Sequence, residues 1–397
     1  MSGAPTRAAV APSGPPRPPY GERTLAEVLP SVSAALGVPG ARNPLGLAEA
    51  RAAVLLMVDG LGWEGLRLHA DAAPFLASLA AAAARPIETG FPATTATSLA
   101  SLGTGLPPGA HGLVGYTFAV PGLDRPLNAL RWEPAGGGPK EGLPDDLAPE
   151  LLQPNRTAFE RAAANGVHVF AAGPPDHAGS GLTRATLRGG EFVAAYSIGD
   201  LAATAADLAA GEGRRLVYAY HASVDLVMHL RGTASESAAL ELAHVARLAR
   251  DLADLLPSGA VLLVTGDHGL MDVGDEDKLD VADLPGLQDG VRMLGGEPRA
   301  RFVYARPGAA ADVAAAWREA LGGRMWVLTR EEVIAAGLFG PSVPDRVRPR
   351  IGDVVAISRG RVAVFNRVSE RRIIRMVAHH GALTDEERLV PLLVART

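Results

Sequence analysis

Residues 52–60, Ala-Ala-Val-Leu-Leu-Met-Val-Asp-Gly, decide the fold, because an unbroken apolar run ends at a polar turn pair. A run of this length is too short for a helix, and Asp-Gly is a turn signal, so the run predicts a buried strand. The same form recurs at Arg215–Tyr220 and at Ala260–Thr265. We therefore expect three similar strands, each followed by polar residues or glycine.

A helical pattern separates the last two of these strands. Within Ser235–Leu256, apolar residues recur at the spacing of one helix face. Near-continuous apolar strands that alternate with helices are typical of a mostly parallel sheet covered by helices on both faces. The sequence thus predicts an α/β fold.

The composition excludes several classes of function. The chain has 397 residues, of which 48% are hydrophobic, and a formal net charge of −5 with no basic block. This balance predicts a globular protein that binds neither nucleic acid nor a membrane, and we expect it in the cytoplasm. Because cysteine is absent, only histidine and carboxylate side chains remain as metal ligands, and a cysteine nucleophile is excluded.

Some regions depart from the alternation of strands and helices. Residues 1–23 are rich in proline and are predicted to be a disordered tail. Residues 275–350 mix short strands and helices, which predicts a small inserted α+β cap between the two parts of the main domain, 24–274 and 351–397. Residues 117–150 are predicted to form a long surface loop.

Acidic and imidazole side chains directly follow two of the predicted strands. Asp59 follows the first strand, and Asp267 and His268 follow the third between two glycines. Open α/β sheets bind ligands at the carboxyl ends of their strands. An ordinary turn is the alternative for Asp59 alone. It explains Asp267 and His268 less well, because two bulky polar side chains in a turn require partners.

Asp225 and His229 are four residues apart, which places both side chains on one face of a helix. A carboxylate and an imidazole in this arrangement can bind one divalent ion. The alternative is an ordinary Asp–His pair on a solvated face, which the apolar neighbours of both residues disfavour. His380 adds an imidazole near the C-terminus, although a single histidine is more often structural.

Residues 91–98, Phe-Pro-Ala-Thr-Thr-Ala-Thr-Ser, mark the start of a helix. A plain N-cap is one interpretation. A hydroxyl at a helix N-terminus also lies where backbone N–H groups and the helix dipole attract phosphate. Since a threonine hydroxyl is a weak nucleophile, a catalytic role requires a metal ion or a base beside it.

Taken together, the His and Asp candidates are enough for two zinc-like ions with three protein ligands each. Two such ions can activate a hydroxyl and hold phosphoryl oxygens. The candidates are Asp59, Asp225, His229, Asp267, His268 and His380.

A set of short motifs covers most of residues 50–390. Because the motifs occur in the order and at the spacing of the alkaline phosphatase superfamily, the chain resembles that superfamily, in particular its nucleotide pyrophosphatase/phosphodiesterase branch. The motifs are Val-Asp-Gly-Leu-Gly from Val58, the stretch 91–98, Gly103–Gly112, Tyr218–Gly232, Thr265–Gly269 and His380-Gly381.

The resemblance implies a three-layer α/β/α sandwich around a mixed sheet, with Thr95 as the nucleophile. It implies two divalent metal ions, with zinc as the expected metal. By the same resemblance, one ion is bound by Asp59, Asp267 and His268, and the other by Asp225, His229 and His380. The expected substrate is a small phosphate ester or a nucleotide.

One position departs from the family pattern. Diesterases of this branch carry an Asn shortly after the His-Gly that corresponds to His111-Gly112, and here Gly-Tyr-Thr stands in that place. Tyr116, Asn128 or Arg131 are candidates to bind the phosphoryl oxygen instead. Because an Arg fork suits a doubly charged monoester, a phosphomonoesterase is the alternative to a phosphodiesterase or nucleotide pyrophosphatase.

Two further alternatives come from other classes. Residues 60–65 match G-x-G-x-x-G after a strand, which is compatible with a dinucleotide-binding domain. That interpretation places the charge of Asp59 against the pyrophosphate and leaves the other Asp and His candidates unexplained. A metal-binding protein without catalytic activity is the second alternative, and it needs no nucleophile.

Overall fold

The computed structural model describes residues 14–83, 85–136 and 147–396. Within them the strands, numbered in chain order, are β1 (Ala52–Val58), β2 (Ile87–Glu88), β3 (Thr117–Phe118), β4 (Leu127–Asn128), β5 (Glu133–Pro134), β6 (His168–Gly173), β7 (Glu191–Ala194), β8 (Arg215–His221), β9 (Ala260–Gly266), β10 (Met271–Asp272), β11 (Lys278–Asp280), β12 (Val291–Glu297), β13 (Ala300–Ala305), β14 (Met325–Thr329), β15 (Val354–Ser358), β16 (Ala363–Phe365), β17 (Ala378–His379), β18 (Leu389–Val390) and β19 (Leu392–Arg396).

The α-helices of the same residues are α1 (Val28–Ala35), α2 (Trp63–Leu68), α3 (Pro74–Ala83), α4 (Thr95–Thr104), α5 (Pro108–His111), α6 (Pro149–Leu152), α7 (Ala158–Ala163), α8 (Gly181–Thr186), α9 (Ile198–Ala210), α10 (Ser223–Arg231), α11 (Glu236–Leu255), α12 (Ala310–Leu321), α13 (Arg330–Ala335) and α14 (Asp385–Arg388). In the described part of the chain, no helix combines the length and the apolar character needed to cross a membrane.

The three strands predicted from the sequence form the middle of a six-stranded sheet with the order β19-β9-β1-β8-β6-β7. β1 pairs in parallel with both β8 and β9. β6 pairs in parallel with β8 and with β7. β19 runs antiparallel to β9. The prediction of a mostly parallel, mixed sheet is confirmed.

Alternate residues of β1 belong to two hydrophobic cores on opposite faces of the sheet. Leu55 and Met57 pack in one core with residues of α1, α4 and α7. Leu56 and Val58 pack in the other with residues of α3, α9 and α11. A strand that is buried on both faces has no position for a polar side chain, which explains the unbroken apolar run. The three-layer α/β/α architecture is confirmed.

A second, smaller layer contains a four-stranded antiparallel sheet with the order β12-β13-β15-β14. Trp317 of α12 is fully buried against it. β15 lies beyond residue 350, the predicted end of the inserted cap. The reason is that β15 finds its hydrogen-bonding partners between β13 and β14 rather than in the central sheet. The smaller layer therefore extends further along the chain than expected.

Two segments that were expected to be irregular are packed. Residues 1–13 of the predicted disordered tail lie outside the described residues, but Pro18 is buried and the Tyr20 hydroxyl donates to the carbonyl of Leu338 at 2.8 Å. The disorder prediction is thus wrong for residues 14–23, because an aromatic ring finds a buried partner far along the chain. In the predicted loop 117–150, β3, β4 and β5 form a small sheet with Phe118 buried, and residues 137–146 lie outside the described residues.

Candidate active site

The register of the central sheet brings the candidates after β1, β8 and β9 to one edge. Val58 pairs with His221 on one side and with Gly266 on the other, so Asp59 and Asp267 leave adjacent strands at the same level. The carbonyl of Asp59 accepts a hydrogen bond from the backbone N–H of Asp225 at 3.0 Å. The strand ends therefore place three carboxylates together.

Glycines make this close approach possible. Gly60 has a φ of +77°, and a Cβ added there would meet the Cα of Asp225 at 2.7 Å. A Cβ on Gly62 would meet the Cα of Gly269 at the same distance. The glycines that match G-x-G-x-x-G thus let neighbouring backbone segments pack beside Asp59, which disfavours the dinucleotide-binding interpretation.

Asp225 and His229 lie on α10, as their spacing predicts. Oδ1 of Asp225 is 3.2 Å from Nε2 of His229. His380 reaches the same place from the segment after β17, and its ring stacks on His268 with centroids 3.7 Å apart. The ring of His229 lies 5.2 Å from that of His380. The structure thus brings all three imidazoles to the carboxylates.

Each of these imidazoles has its Nδ1 beside a backbone carbonyl. The distances are 2.6 Å from His229 to Ala378, 2.9 Å from His380 to Ala93, and 3.2 Å from His268 to Gly269. Because a carbonyl only accepts, Nδ1 must carry the proton in each ring. In the neutral ring Nε2 then presents a lone pair, which is the orientation that metal-binding histidines adopt.

The carboxylates present unpartnered oxygens to these lone pairs. Among the described residues, Oδ1 of Asp59, Oδ1 of Asp225 and Oδ2 of Asp267 are buried without a hydrogen-bond partner. Lone pairs that face each other in a buried site need a positive charge between them. The donor set of imidazole nitrogens and carboxylate oxygens therefore fits divalent cations.

Two groups of residues bring ligand atoms within 4.8 Å of one another. One is Asp225, His229 and His380, the set expected for one ion, and the other is Asp59, Asp225 and His268. Asp225 takes part in both groups. Asp267 lies at the edge of the second, with Oδ2 at 3.6 Å from Nε2 of His268. Its Oδ1 accepts hydrogen bonds from the backbone N–H groups of Gly60 and His268.

Thr95 is the first residue of α4, after an extended Thr94. Its side chain is buried, and Oγ1 lies 3.1 Å from Nε2 of His268. In the neutral ring that nitrogen carries a lone pair, so the Thr95 hydroxyl donates to it. The first N–H groups of a helix have no acceptor within the helix, so they can bind an anion beside this hydroxyl.

Burial and the repulsion between like charges shift the pKa values of side chains in the cluster. Burial, Asp267 and Asp225 raise the pKa of Asp59 well above its ordinary value. Tyr220 opposes this effect by donating a hydrogen bond to Oδ2 of Asp59. Burial and the neighbouring His268 lower the pKa of His380, which keeps its imidazole neutral. A neutral imidazole is the form that binds a metal ion.

Two cavities flank Thr95, and Asp59, Thr95 and Leu130 line both. The first, called the aromatic lobe, has a volume of about 220 Å³ and is lined by His177, Phe192, Tyr218 and Tyr220. The second, called the aliphatic lobe, has a volume of about 240 Å³ and is lined by Leu226, Pro298, Ile373 and Met376.

The predicted substrate-binding residues divide between the cavity and the surface. Tyr116 lines the aliphatic lobe. Asn128 does not line a lobe but supports Tyr116, because its Nδ2 donates a hydrogen bond to the Tyr116 hydroxyl at 2.9 Å. Its Oδ1 accepts hydrogen bonds from two backbone N–H groups of its own turn. Arg131 lies outside both cavities, because its side chain is 67% exposed and faces Glu133. Of these three residues, Tyr116 alone lines a lobe.

Glu297 and the two tyrosines of β8, Tyr218 and Tyr220, also line the lobes, although they are not among the site residues predicted from the sequence. Glu297 is buried beside Thr95 in the aliphatic lobe and accepts a hydrogen bond from the backbone N–H of Tyr116 at 3.1 Å. Burial raises its pKa to about 7. A single Glu in Gly-Gly-Glu-Pro gives no signal for this position. Tyr218 and Tyr220 did offer one, because two aromatics at alternate positions near a strand end share a face.

Comparisons with known proteins agree with this geometry. The family model described as type I phosphodiesterase / nucleotide pyrophosphatase matches residues 53–383. No curated protein matches the chain in sequence.

Among solved structures, an inactive threonine-to-alanine variant of murine ectonucleotide pyrophosphatase / phosphodiesterase 5 in complex with AMP is similar, with a TM-score of 0.62 and 16% identity over 87% of each chain. Phosphonoacetate hydrolase from Sinorhizobium meliloti 1021, in complex with phosphonoacetate, has a TM-score of 0.65 and 19% identity over 87% of this chain and 90% of its own. Both likenesses establish a shared fold.

Proposed function

Because the chain belongs to the type I phosphodiesterase / nucleotide pyrophosphatase family, whose members hydrolyse phosphoric ester or anhydride bonds, we propose that it hydrolyses phosphodiesters with Thr95 as the nucleophile and two divalent metal ions. The observation that carries this proposal is the contact between the Thr95 hydroxyl and His268, inside a cluster of imidazoles and unpartnered carboxylate oxygens.

Each of the two groups of candidate ligands would bind one metal ion. Asp225, His229 and His380 would bind one, and Asp59 and His268 would bind the other with Asp267 at the edge of the group. When bound, such ions lower the pKa of a coordinated hydroxyl or water and neutralise charge on phosphoryl oxygens. We propose zinc, because imidazole and carboxylate ligands in groups of three suit it.

The residues of the chain would bind and orient the phosphoryl group. The N–H groups at the start of α4 would hold its non-bridging oxygens. Oγ1 of Thr95 would form a bond to phosphorus while the bond to the leaving alcohol breaks and that alcohol takes up a proton. Water would then cleave the phosphothreonine ester and release a phosphate monoester. The inactive threonine-to-alanine variant of the murine neighbour agrees with an essential threonine.

Diesters are favoured over monoesters by the position of Arg131. Its guanidinium was the candidate for a doubly charged phosphate, and it is exposed on the surface with Glu133. A singly charged diester needs no such partner. The phosphomonoesterase alternative thus loses the residue that supported it.

The test compares Thr95→Ala with the parent protein on an aryl phosphodiester and an aryl phosphomonoester, with metal analysis of both proteins. We expect Thr95→Ala to lose at least about 10³-fold in kcat on the diester while it retains its metal. Thr97→Ala is the matched control, because it removes a buried hydroxyl of the same helix that lines neither lobe. If Thr95→Ala keeps most of the parent's kcat, the protein binds metal without using this nucleophile and the proposal fails.

A further inference from the structure

The two lobes offer one place for each organic group, or arm, of a phosphodiester. They meet at Thr95 and Asp59, where the phosphorus atom of the proposed substrate would lie. Four oxygens surround phosphorus tetrahedrally, so the two ester arms diverge from it. One arm then enters the aromatic lobe and the other enters the aliphatic lobe.

The charges of the lobes decide which arms they accept. Among the described residues that line either lobe, none is a Lys or an Arg. Each lobe instead contains one carboxyl group that belongs to neither metal group, Asp176 in the aromatic lobe and Glu297 in the aliphatic lobe. A phosphate on a substrate arm requires cationic partners, usually Arg or Lys. In the aromatic lobe it meets the carboxylate of Asp176, and in the aliphatic lobe it meets Glu297, which is mostly ionised above pH 7 because burial raises its pKa to about 7.

Apolar and aromatic surface makes up much of the remaining walls. Phe192, Tyr218 and Tyr220 face the aromatic lobe, and Ile373 and Met376 face the aliphatic lobe. Leu226, on the rim of the aliphatic lobe, is 56% exposed. Surfaces of this kind bind uncharged rings and chains through the hydrophobic effect.

We propose that the cleft selects phosphodiesters whose two arms carry no second phosphate or other anionic group, and that Asp176 and Glu297 determine this specificity by repelling such groups. The inference rests on the proposed function and narrows its substrate class. It excludes polyphosphates such as nucleoside triphosphates as preferred substrates.

The test uses two substrates with the same leaving group. One is the 5′-(4-nitrophenyl phosphate) diester of thymidine, and the other is the same compound with a phosphate on the 3′-hydroxyl. Since the second differs from the first only in an anionic group on one arm, we expect its kcat/KM to be lower by about tenfold or more, because the exposed position of Asp176 lets solvent and salt screen part of the repulsion.

Two substitutions test whether the carboxyl groups cause the difference in kcat/KM between the two substrates. Asp176→Asn and Glu297→Gln together should narrow the ratio of the two kcat/KM values by about tenfold. Asp176 is exposed, so Asp176→Asn alone provides a variant that folds, and its matched control is Asp254→Asn on α11, which is also exposed and lies outside both lobes. The control should leave the ratio at the parent value.

The outcomes separate this inference from the proposed function. If the parent protein hydrolyses both substrates equally well, or prefers the one with the 3′-phosphate, and Thr95→Ala abolishes both activities, the charge selection is wrong and the threonine mechanism stands. A ratio that the Asp176→Asn and Glu297→Gln changes leave untouched also overturns the role of the two carboxyl groups. If Thr95→Ala retains activity on both substrates, the proposed function itself fails.

Discussion

Nε2 of His229 lies 3.2 Å from Oδ1 of Asp225, and in the neutral ring the proton lies on the other nitrogen, which faces the Ala378 carbonyl at 2.6 Å. Two acceptors at this distance repel each other unless a cation lies beside them. A carboxylate oxygen of Asp225 also belongs to the group of ligand atoms that includes Asp59 and His268. Asp225 therefore links the two halves of the site.

Asp225→Asn should weaken both metal groups at once. We expect metal content to fall by more than one ion per chain and kcat on a diester to fall by at least about 10³-fold, because the amide cannot supply the negative charge. Metal analysis after dialysis and steady-state kinetics measure the two effects. Asp251→Asn, which changes a half-exposed carboxylate on α11, should change neither. Loss of a single ion, with the other retained at full affinity, would contradict the shared role.

Tyr220→Phe should reduce metal affinity without changing the ligands. The phenol donates to Oδ2 of Asp59 and favours its ionised form. Removing this donor raises the pKa of Asp59 further, so metal binding should weaken by about 10- to 100-fold, and more strongly at lower pH. Titration of the metal-free protein with Zn²⁺ at several pH values measures this loss. Tyr196→Phe, with a side chain that is 80% exposed, is the control and should bind zinc like the parent.

Glu387→Gln should destabilise the fold. Both carboxylate oxygens of Glu387 accept hydrogen bonds from Arg299, at 2.8 and 2.7 Å, and both side chains are fully buried. Breaking one partner of a buried pair costs about 3–5 kcal/mol in the free energy of unfolding, which urea denaturation measures. The exposed pair of Arg67 and Glu64 provides the contrast, since Glu64→Gln should cost less than about 1 kcal/mol. Equal losses in the two variants would show that burial does not set the strength of the pair.

Glu297 should make the stability of the metal-free protein depend on pH. Burial raises the pKa of its carboxyl from the ordinary value of 4.5 to about 7. The folded chain therefore holds the proton more tightly than the unfolded chain. As pH rises from 4.5 to about 7, the free energy of unfolding consequently falls, by up to about 3 kcal/mol. Glu297→Gln removes this contribution. Urea unfolding of parent and variant across this range should show the parent losing stability relative to Glu297→Gln, whereas Glu319→Gln, an exposed change on α12, should follow the parent.

Residue patterns within one segment predicted the central architecture well. The apolar run of β1 and its counterparts in β8 and β9 identified the middle of the sheet, because strands buried on both faces tolerate few polar residues. The four-residue interval between Asp225 and His229 predicted one helix face, since the geometry of α10 depends only on local hydrogen bonds. Both predictions needed no information from distant parts of the chain.

Distant partners explain what could not be predicted. Tyr20 is ordered through a carbonyl more than 300 residues away, and Glu297 reaches the cavity through the hairpin between β12 and β13. Arg131 was placed at the phosphate because its charge suited one, yet solvent and Glu133 satisfy it at the surface. The partner of Tyr20 and the cavity beside Glu297 are thus defined only by the assembled layers, whereas the exposure of Arg131 depends on where its loop lies at the surface.

His380 and β19 are synthesised after most of the other residues of the site and the sheet, which matters for folding on the ribosome. His380 follows β17, and β19 completes the edge of the sheet beside β9. A nascent polypeptide that has been translated only as far as residue 378 contains the threonine and most of the acidic side chains, but it lacks one imidazole and the strand that covers β9. Hydrolytic activity would therefore appear abruptly, after translation has passed these residues, and could serve as a reporter of completed folding.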